Sequence, residues 1–258
     1  EMRDLNGQVN EGIEAQRSMH VVMGMDILIN MFGRPFRLIT DAYYKYYSEL
    51  IPYEIDNVRL RYYARNNSVG RAYGIDTKLT GEFLPGVQSW ANLSYLKTEE
   101  NLLDDFYILT NNEGNETRVE PGFIPRPTDQ RINFSMFFQD EMPSNPTYKV
   151  QLSVNYGTGL PFGPPDNERY KDVARSPSYR RFDIGFIKQF IDKDTEFRKP
   201  TGFFSNFKEA WVALEVFNLL DVPNVQSYLW VNDITGRQYA VPNYLTPRRL
   251  NLKVYFRF

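Results

Sequence analysis

Strict alternation of apolar and polar residues, in segments of about ten residues, constrains the fold of this chain most strongly. The C-terminal stretch RRLNLKVYFRF shows it, because Leu250, Leu252, Val254, Phe256 and Phe258 alternate with polar residues. Side chains of a strand point to opposite faces with a period of two, so these five residues would share one face. A single strand of this kind fits a soluble β-sandwich as well as a membrane β-barrel.

The same period recurs along the chain and predicts about nine long strands. The segments that carry it are 17–30, 36–50, 70–83, 90–100, 131–140, 148–157, 179–190, 211–230 and 249–258. We interpret 211–230 as one strand kinked at Asp221-Val222-Pro223, since proline is tolerated in a strand at an edge or a bulge. The 18 tyrosines, 19 phenylalanines, 16 glycines and 16 prolines also favour strands and turns.

The connections between the predicted strands alternate in length. MFGRP, LPGVQS and EMPSNP are short turns, 191–209 is of moderate length, and 51–68, 101–128 and 158–178 are long loops. Outer-membrane barrels show this asymmetry, with short periplasmic turns and long external loops. The faces opposite the apolar ones carry Asp76, Lys78, Arg131, Arg181, Asp183 and Glu215. Such charges suit a water-filled lumen better than a sandwich interior, so we predict an all-β, antiparallel transmembrane barrel with a periplasmic C-terminus.

The odd number of predicted strands indicates a partial barrel, because single-chain bacterial barrels have even strand numbers. We expect residues 1–258 to form the C-terminal part of the barrel domain, with further strands N-terminal to Glu1. The net charge of −2, without a basic block, argues against a nucleic-acid partner. The chain has no cysteine, which excludes a disulfide scaffold.

Several motifs resemble the C-terminal part of TonB-dependent outer-membrane receptors, particularly the SusC-like branch. They are RPTDQRINFSMFFQD, GTGLPFGPP, SYRRFDIGF, EVFNLLDVPNVQSYLW and YAVPNYLTPRRLNL. The similarity covers essentially the whole chain, and EVFNLLDVPN followed by a terminal aromatic strand is its most specific part.

The resemblance implies a 22-stranded barrel of the receptor type, filled by an N-terminal plug domain. It also implies uptake of a nutrient (a glycan, peptide or siderophore-like ligand) energised by the TonB complex, with a surface lipoprotein lid as a further partner. The sequence contains neither the plug nor the TonB-contact segment. In this family the terminal aromatics resemble the signal read by the barrel-insertion machinery, which here would be Phe256 and Phe258. No catalytic activity, cofactor or metal site is implied.

Five residues of the predicted loops are candidate ligand contacts. Tyr62, Tyr63 and Arg65 lie in one loop, and Tyr228 and Trp230 lie near the rim of another. Aromatic rings stack on sugars or aromatic ligands, but they also form the girdle that barrels carry at the membrane interface. Both interpretations stay open on the sequence alone.

Other functional hypotheses rest on weaker signals. Ser18 and the single histidine, His20, would suit a hydrolase if they were in contact, although an isolated lumenal histidine is favoured. The acidic residues Glu99, Glu100, Asp104 and Asp105 suggest a calcium site, although a solvated loop is favoured because no glycine-punctuated spacing accompanies them. A receptor-like barrel can also act as the scaffold subunit of a larger outer-membrane assembly.

Overall fold

The computed structural model describes residues 3, 7–31, 33–84, 87–142, 145–164, 169–171, 174–192 and 207–258. Within them the fold is all-β, with no α-helix. The strands are β1 (Arg17–Met31), β2 (Arg34–Leu50), β3 (Tyr53–Asp56), β4 (Arg59–Tyr62), β5 (Ser68–Leu84), β6 (Val87–Leu102), β7 (Tyr107–Thr110), β8 (Glu116–Val119), β9 (Ile124–Pro125), β10 (Ile132–Met142), β11 (Asn145–Gly157), β12 (Pro161–Phe162), β13 (Ala174–Arg175), β14 (Tyr179–Asp192), β15 (Glu209–Phe217), β16 (Val225–Asn232), β17 (Gln238–Tyr244) and β18 (Arg249–Arg257). A 3₁₀ turn spans Arg169–Lys171.

One large antiparallel sheet, the main sheet, dominates the structure. Among the described residues its nine long strands follow the order β1-β2-β5-β6-β10-β11-β14-β15-β18, and short β9 pairs additionally with β6. Within the same residues β1 pairs only with β2, and β18 pairs only with β15, so the sheet is open at both edges. The predictions of an antiparallel all-β fold and of nine long strands are confirmed.

The two ends of the main sheet differ in the connections that they carry. Two-residue links follow β1, β5 and β10, and the link from β14 to β15 is also at this end, which we call the short-link end. The long connections 51–67, 103–131, 158–178 and 218–248 all lie at the opposite, long-loop end. Parts of the predicted short turns lie outside the described residues, namely residues 32, 85–86 and 143–144. Most of the predicted connection 191–209 also lies outside them, namely residues 193–206.

Antiparallel register merges the apolar sides of the strands into one face, here called the apolar face. Met23, Ala42, Ile75 and Tyr95 are successive partners across β1, β2, β5 and β6. Ala91, Met136, Val154 and Phe182 continue the face across β6, β10, β11 and β14. Val150, Phe186, Leu214 and Leu252 carry it from β11 to β18. Much of this face is exposed, including Met23 at 79% and Leu252 at 65%.

The opposite face of the main sheet is mostly polar. Asp41, Asp76, Ser94 and Asn133 are successive partners across β2, β5, β6 and β10. Gln139, Gln151, Gly185, Glu215 and Asn251 form a second polar row from β10 to β18. Apolar and aromatic exceptions to this pattern include Val22 and Leu28 of edge strand β1 and the stacked pairs Trp90–Phe137 and Trp211–Tyr255. The prediction that charged side chains lie opposite the apolar ones is confirmed for Asp76, Lys78, Arg181, Asp183 and Glu215, whereas Arg131 precedes β10.

The prediction of one kinked strand over 211–230 is wrong. β15 ends at Phe217, and β16 begins at Val225 in a separate hairpin with β17. Asn218 and Asp221 adopt φ values of 52° and 54°, the left-handed region in which asparagine and aspartate are tolerated best among non-glycine residues. The Asn218 amide donates to the carbonyl of Val222 and its Oδ1 accepts from the Val222 N–H, so this segment closes a tight turn.

Two segments predicted as irregular loops contain hairpins. β3 pairs with β4 inside 51–67, and β7 pairs with β8 inside 103–131. Each of these strands is only four residues long, the lower limit at which a period of two is informative; β3 (YEID) and β4 (RLRY) do alternate, whereas β7 (YILT) and β8 (ETRV) do not. The predicted loop 158–178 also contains the two-residue pairing of β12 with β13.

Gly81 of β5 is required by the ring of Phe36, which is 1% exposed and belongs to neighbouring β2. A Cβ at Gly81 would lie 2.2 Å from Cδ1 of Phe36, far inside van der Waals contact. Gly185 of β14 differs, because its nearest neighbour would be 3.6 Å away. The space that a side chain at residue 81 would occupy is therefore taken by an aromatic ring from the adjacent strand.

We expect Gly81→Ala to lower the free energy of unfolding by about 1–3 kcal/mol, because the Phe36 ring must move. Gly185→Ala is the matched control and should be neutral or slightly stabilising, since alanine is favoured over glycine within a strand. Denaturant unfolding followed by tryptophan fluorescence measures both. Equal destabilisation by the two substitutions would contradict this account of Gly81.

Candidate ligand pocket at the long-loop end

The long connections converge on one small pocket at the long-loop end. Its volume is about 100 Å³. The residues that line it come from all four long connections: Glu54, Ile55, Asn57, Pro125, Pro127, Leu160, Pro161, Phe162, Gly163, Pro164, Arg169, Ser176, Val225, Gln226, Ser227, Tyr228 and Trp230. Ligand pockets commonly measure about 300–1,000 Å³, so this one can hold an end group rather than a whole drug-sized molecule.

An aromatic wall forms one side of the pocket. The rings of Phe162 and Tyr228 stack with their centroids 4.4 Å apart and their planes at 11°. Trp230 lies 6.2 Å from Phe162, with the planes tilted by 36°. Tyr228 and Trp230 are two residues apart on β16, so they share the face of the hairpin that meets β12. Offset aromatic pairs at such distances bury a large apolar area with a defined geometry.

Arg169 ties three of the long connections together beside the pocket. Its guanidinium donates to the carbonyl of Tyr53, to Glu100 Oε1 at 2.8 Å and to the carbonyl of Pro125 at 3.3 Å. Arg169 is 5% exposed and Glu100 is fully buried. The donors of Arg169 are thus directed at protein oxygens, which indicates a positioning role rather than a free anion-binding group.

The prediction of a solvated loop is wrong for Glu99 and Glu100, whereas Asp104 and Asp105 do lie in the loop that follows β6. Glu99 and Glu100 are buried at the end of β6. Glu99 pairs with Arg71 at 2.9 Å and with Lys97 at 2.6 Å. The cationic partners of these glutamates explain why they can be buried, because a buried carboxylate is retained only when it is paired. The described residues contain no group of three or more acidic or histidine side chains placed to hold a metal ion.

The second oxygen of Glu100 faces Arg126, whose Nε lies 3.4 Å from Oε2. The two atoms are close enough for an ion pair but make no hydrogen bond, since neither has a hydrogen-bond partner within the described residues. The proximity of the guanidinium charge still compensates the buried carboxylate of Glu100, even without good hydrogen-bond geometry.

Asp129 is a second buried carboxylate, and it joins strands to loops. Its Oδ1 accepts from the N–H of Thr98 at 2.9 Å. Its Oδ2 accepts from Arg131 Nε at 2.7 Å and from Arg175 Nη2. Arg175 also donates to the carbonyl of Asp129 at 2.7 Å and to that of Gly159 at 3.0 Å. Asp129 therefore fixes connection 158–178 against β6 and the start of β10.

Glu54 supplies the carboxylate of the pocket lining. Its negative charge is less fully compensated by neighbouring groups than the charges of Glu100 and Asp129. Burial raises the pKa of Glu54 above its ordinary value, whereas the charges of Arg61 and Arg169 and the hydroxyl of Tyr63 oppose that rise. Arg61 Nη1 lies 3.4 Å from Oε1, and the Tyr63 hydroxyl donates to Oε2 at 3.4 Å. Both contacts are long, in keeping with the dominance of desolvation.

The structure separates the five predicted ligand residues into two groups. Tyr228 and Trp230 line the pocket. Tyr62 is exposed with its ring 5.8 Å from Tyr53, and Tyr63 contacts Glu54 of the pocket lining through its hydroxyl. Arg65 is exposed and does not line the pocket. Phe162, Glu54 and Arg169 were missed as site residues, and only the proline-rich stretch GTGLPFGPP signalled a constrained loop around Phe162.

Ser18 and His20 are in contact, although the sequence alone did not require it. Ser18 Oγ lies 2.9 Å from His20 Nε2, and both residues are exposed on β1. The ring of His20 lies 6.4 Å from that of Tyr47, edge to face. Within the described residues no carboxylate contacts His20 to orient it as a general base, so the pair lacks the third group of a hydrolytic triad.

Phe256 and Phe258 lie at the short-link end, opposite the pocket. They are 53% and 71% exposed, and their ring centroids lie 5.6 Å and 4.6 Å from that of Phe207. The backbone N–H of Lys208 donates to the carbonyl of Arg257 at 2.7 Å. The proposed insertion signal thus remains accessible on one side.

No protein-family model matches the chain, and a comparison with curated proteins finds no match. Among the described residues there is no helix long and apolar enough to cross a membrane.

We expect Asp129→Asn to lower the free energy of unfolding by about 3 kcal/mol, because Arg131 and Arg175 lose the buried charge between them. Hydrogen exchange at the Thr98 amide should accelerate at the same time. Asp26→Asn is the control, since Asp26 and Arg37 form a solvent-exposed pair whose loss should cost much less than the loss of the buried Asp129. Unchanged exchange at Thr98 in Asp129→Asn would contradict the role given to this carboxylate.

Proposed function

We propose that this chain is the C-terminal part of an outer-membrane receptor barrel of the TonB-dependent type, which takes up a nutrient. The observation that carries the proposal is the continuous, exposed apolar face of the main sheet, backed by a polar face. A soluble protein rarely leaves so large an apolar surface uncovered. Lipid is the occupant that this surface fits, because the surface is repeated over every long strand rather than confined to a patch.

The height of the apolar face supports a membrane span. On β1 it extends from Met19 to Ile29, which is roughly 33 Å along an antiparallel strand. At the strand tilt of about 40° that is usual in barrels, this corresponds to a band about 25 Å tall, as in transmembrane barrels. Towards the long-loop end the face gives way to the ion-paired Arg71, Lys97 and Glu99.

The polar face supports a watered interior. Arg181 Nε lies 2.8 Å from Asp183 Oδ1, and Lys253 Nζ lies 2.7 Å from Glu215 Oε1. These groups are only partly buried and face the same side of the sheet. The interior of a packed sandwich would have to desolvate every such charge, whereas a barrel lumen keeps them hydrated.

The free edges of the main sheet support pairing with further strands of the receptor. An unpaired row of amides within hydrocarbon costs several kcal/mol for each group, so a membrane-spanning sheet must close. We propose that β1 and β18 pair with the remainder of the barrel, and that a plug domain and the TonB complex act through that remainder. The C-terminus would be periplasmic, because β18 ends at the short-link end.

The pocket at the long-loop end is the candidate contact for an external ligand. The stacked Phe162 and Tyr228, with Trp230, offer ring faces, and Glu54 offers a hydrogen-bond acceptor. Such a combination holds one unit of a glycan, peptide or siderophore-like ligand. Tyr62, Tyr63 and Arg65 would lie around the pocket, farther from the ligand than the residues that line it.

A scaffold role is the second candidate, favoured by the β16–β17 hairpin. Leu229 and Val231 pair with Val241 and Tyr239 on the face turned away from the pocket, and all four are exposed. A surface lipoprotein could dock on this face. Its stoichiometric copurification in mild detergent without ligand would support the scaffold role, whereas isolation of the receptor alone would count against it.

For the membrane proposal, we expect Val254→Arg to cost roughly 2–4 kcal/mol, because it places a charge within the lipid-facing band. Lys253→Ser should be nearly silent, since Lys253 is half-exposed on the polar face and its ion-pair partner among the described residues is Glu215 alone. Denaturant titration of the full receptor folded in lipid vesicles measures both. A larger loss for Lys253→Ser than for Val254→Arg would reverse the assignment of the faces.

A further inference from the structure

Lys188 is a basic residue within the apolar face. It lies on β14 between Phe186 and Phe190, which are 50% and 58% exposed. Its partners on the adjacent strands are Tyr148 and Val212, both on the same face. Phe182, Ile184 and Phe186 are the apolar side chains that β14 turns to the same face.

The ammonium group of Lys188 is bound by two consecutive residues of β11. Its Nζ lies 3.6 Å from the centroid of the Tyr148 ring and 2.5 Å from Thr147 Oγ1. Tyr148 is the register partner of Lys188, and Thr147 is one residue nearer to the short-link end. The side chain therefore extends along the sheet towards that end, as lysines do when the stem lies on apolar surface and the charge seeks a polar boundary.

The charge of Lys188 has no carboxylate within ion-pair distance among the described residues. Other lysines of the main sheet differ, since Lys149 pairs with Glu141 at 2.8 Å and Lys253 pairs with Glu215. A tyrosine ring and a hydroxyl stabilise an ammonium group without neutralising it. Asp140 is on the same face two strands away, opposite Val150, and its Oδ1 has no hydrogen-bond partner within the described residues.

We propose that Lys188, with Thr147 and Tyr148, binds the phosphate of an anionic phospholipid headgroup in the membrane leaflet at the short-link end. This inference rests on the proposed function. Lysine acts as a point charge towards phosphate. Exposed Phe186 and its register partner Leu214, on the same face and on the side of Lys188 away from the short-link end, offer apolar contacts for the acyl chains of the same lipid. One lysine near an anionic membrane surface corresponds to roughly a fivefold gain in affinity.

The test uses the full receptor in phosphatidylcholine nanodiscs, titrated with phosphatidylglycerol carrying a headgroup-proximal quencher of a fluorophore at the short-link end. Lys188→Gln should lower the apparent affinity for phosphatidylglycerol roughly fivefold. Lys149→Gln, on the opposite face, is the matched control and should leave it unchanged. Inorganic phosphate should not displace the lipid, because the apolar contacts are part of the site.

Three outcomes would overturn the proposal. They are an unchanged affinity in Lys188→Gln, an equal loss in Lys149→Gln, and displacement of the lipid by inorganic phosphate. If Lys188 pairs instead with Asp140, Lys188→Gln and Asp140→Asn should destabilise the protein alike, and neither should alter lipid affinity. Quenching of a probe at Phe186 by chain-labelled phosphatidylcholine keeps the two proposals apart. If that quenching persists, only the headgroup site has failed, and if it is absent, the membrane assignment has failed.

Discussion

The antiparallel register of the main sheet is the constraint on which the other features depend. Because each partner lies directly opposite, Phe186 must share a face with Val150 and Leu214, and Asp183 must share the other with Ser153. A slip by one residue would turn every side chain of a strand to the wrong face. The same register aligns the strand ends, so the long connections gather at one end and can meet around a common pocket.

Buried carboxylates then convert a set of neighbouring loops into a defined arrangement. Glu100 and Asp129 lie at the junction of the main sheet with the long connections, and each binds an arginine that is distant in sequence. Arg169 and Arg175 belong to the same connection, 158–178, which is therefore anchored at two points. The aromatic wall at Phe162 lies on that connection, so the geometry of the pocket depends on these ion pairs rather than on the sheet alone.

The strands and their faces could be predicted because the signal is local. Met23 and Leu252 lie in segments where a period of two repeats for several residues. The turn after Phe217 could not be predicted in this way, since Asn218 and Asp221 continue an apolar-rich stretch and their left-handed backbone depends on hydrogen bonds within the turn. The burial of Glu100 and Asp129 could not be predicted either, because Arg169 and Arg175, which bind them across the loops, lie 69 and 46 residues away along the chain. Of the site residues, Tyr228 and Trp230 were identified by residue type, whereas Arg169 has a role only in the folded chain.

Whether lipid covers the apolar face decides the account as a whole. The most direct measurement places a fluorophore in turn at residues 250–256 of β18 in the membrane-reconstituted receptor and adds a quencher confined to the lipid phase. Our account predicts strong quenching at the even positions, such as Leu252 and Val254, and weak quenching at the odd positions, such as Asn251 and Lys253. Protection of the even positions from the lipid-phase quencher would contradict the barrel assignment and the transport function that rests on it.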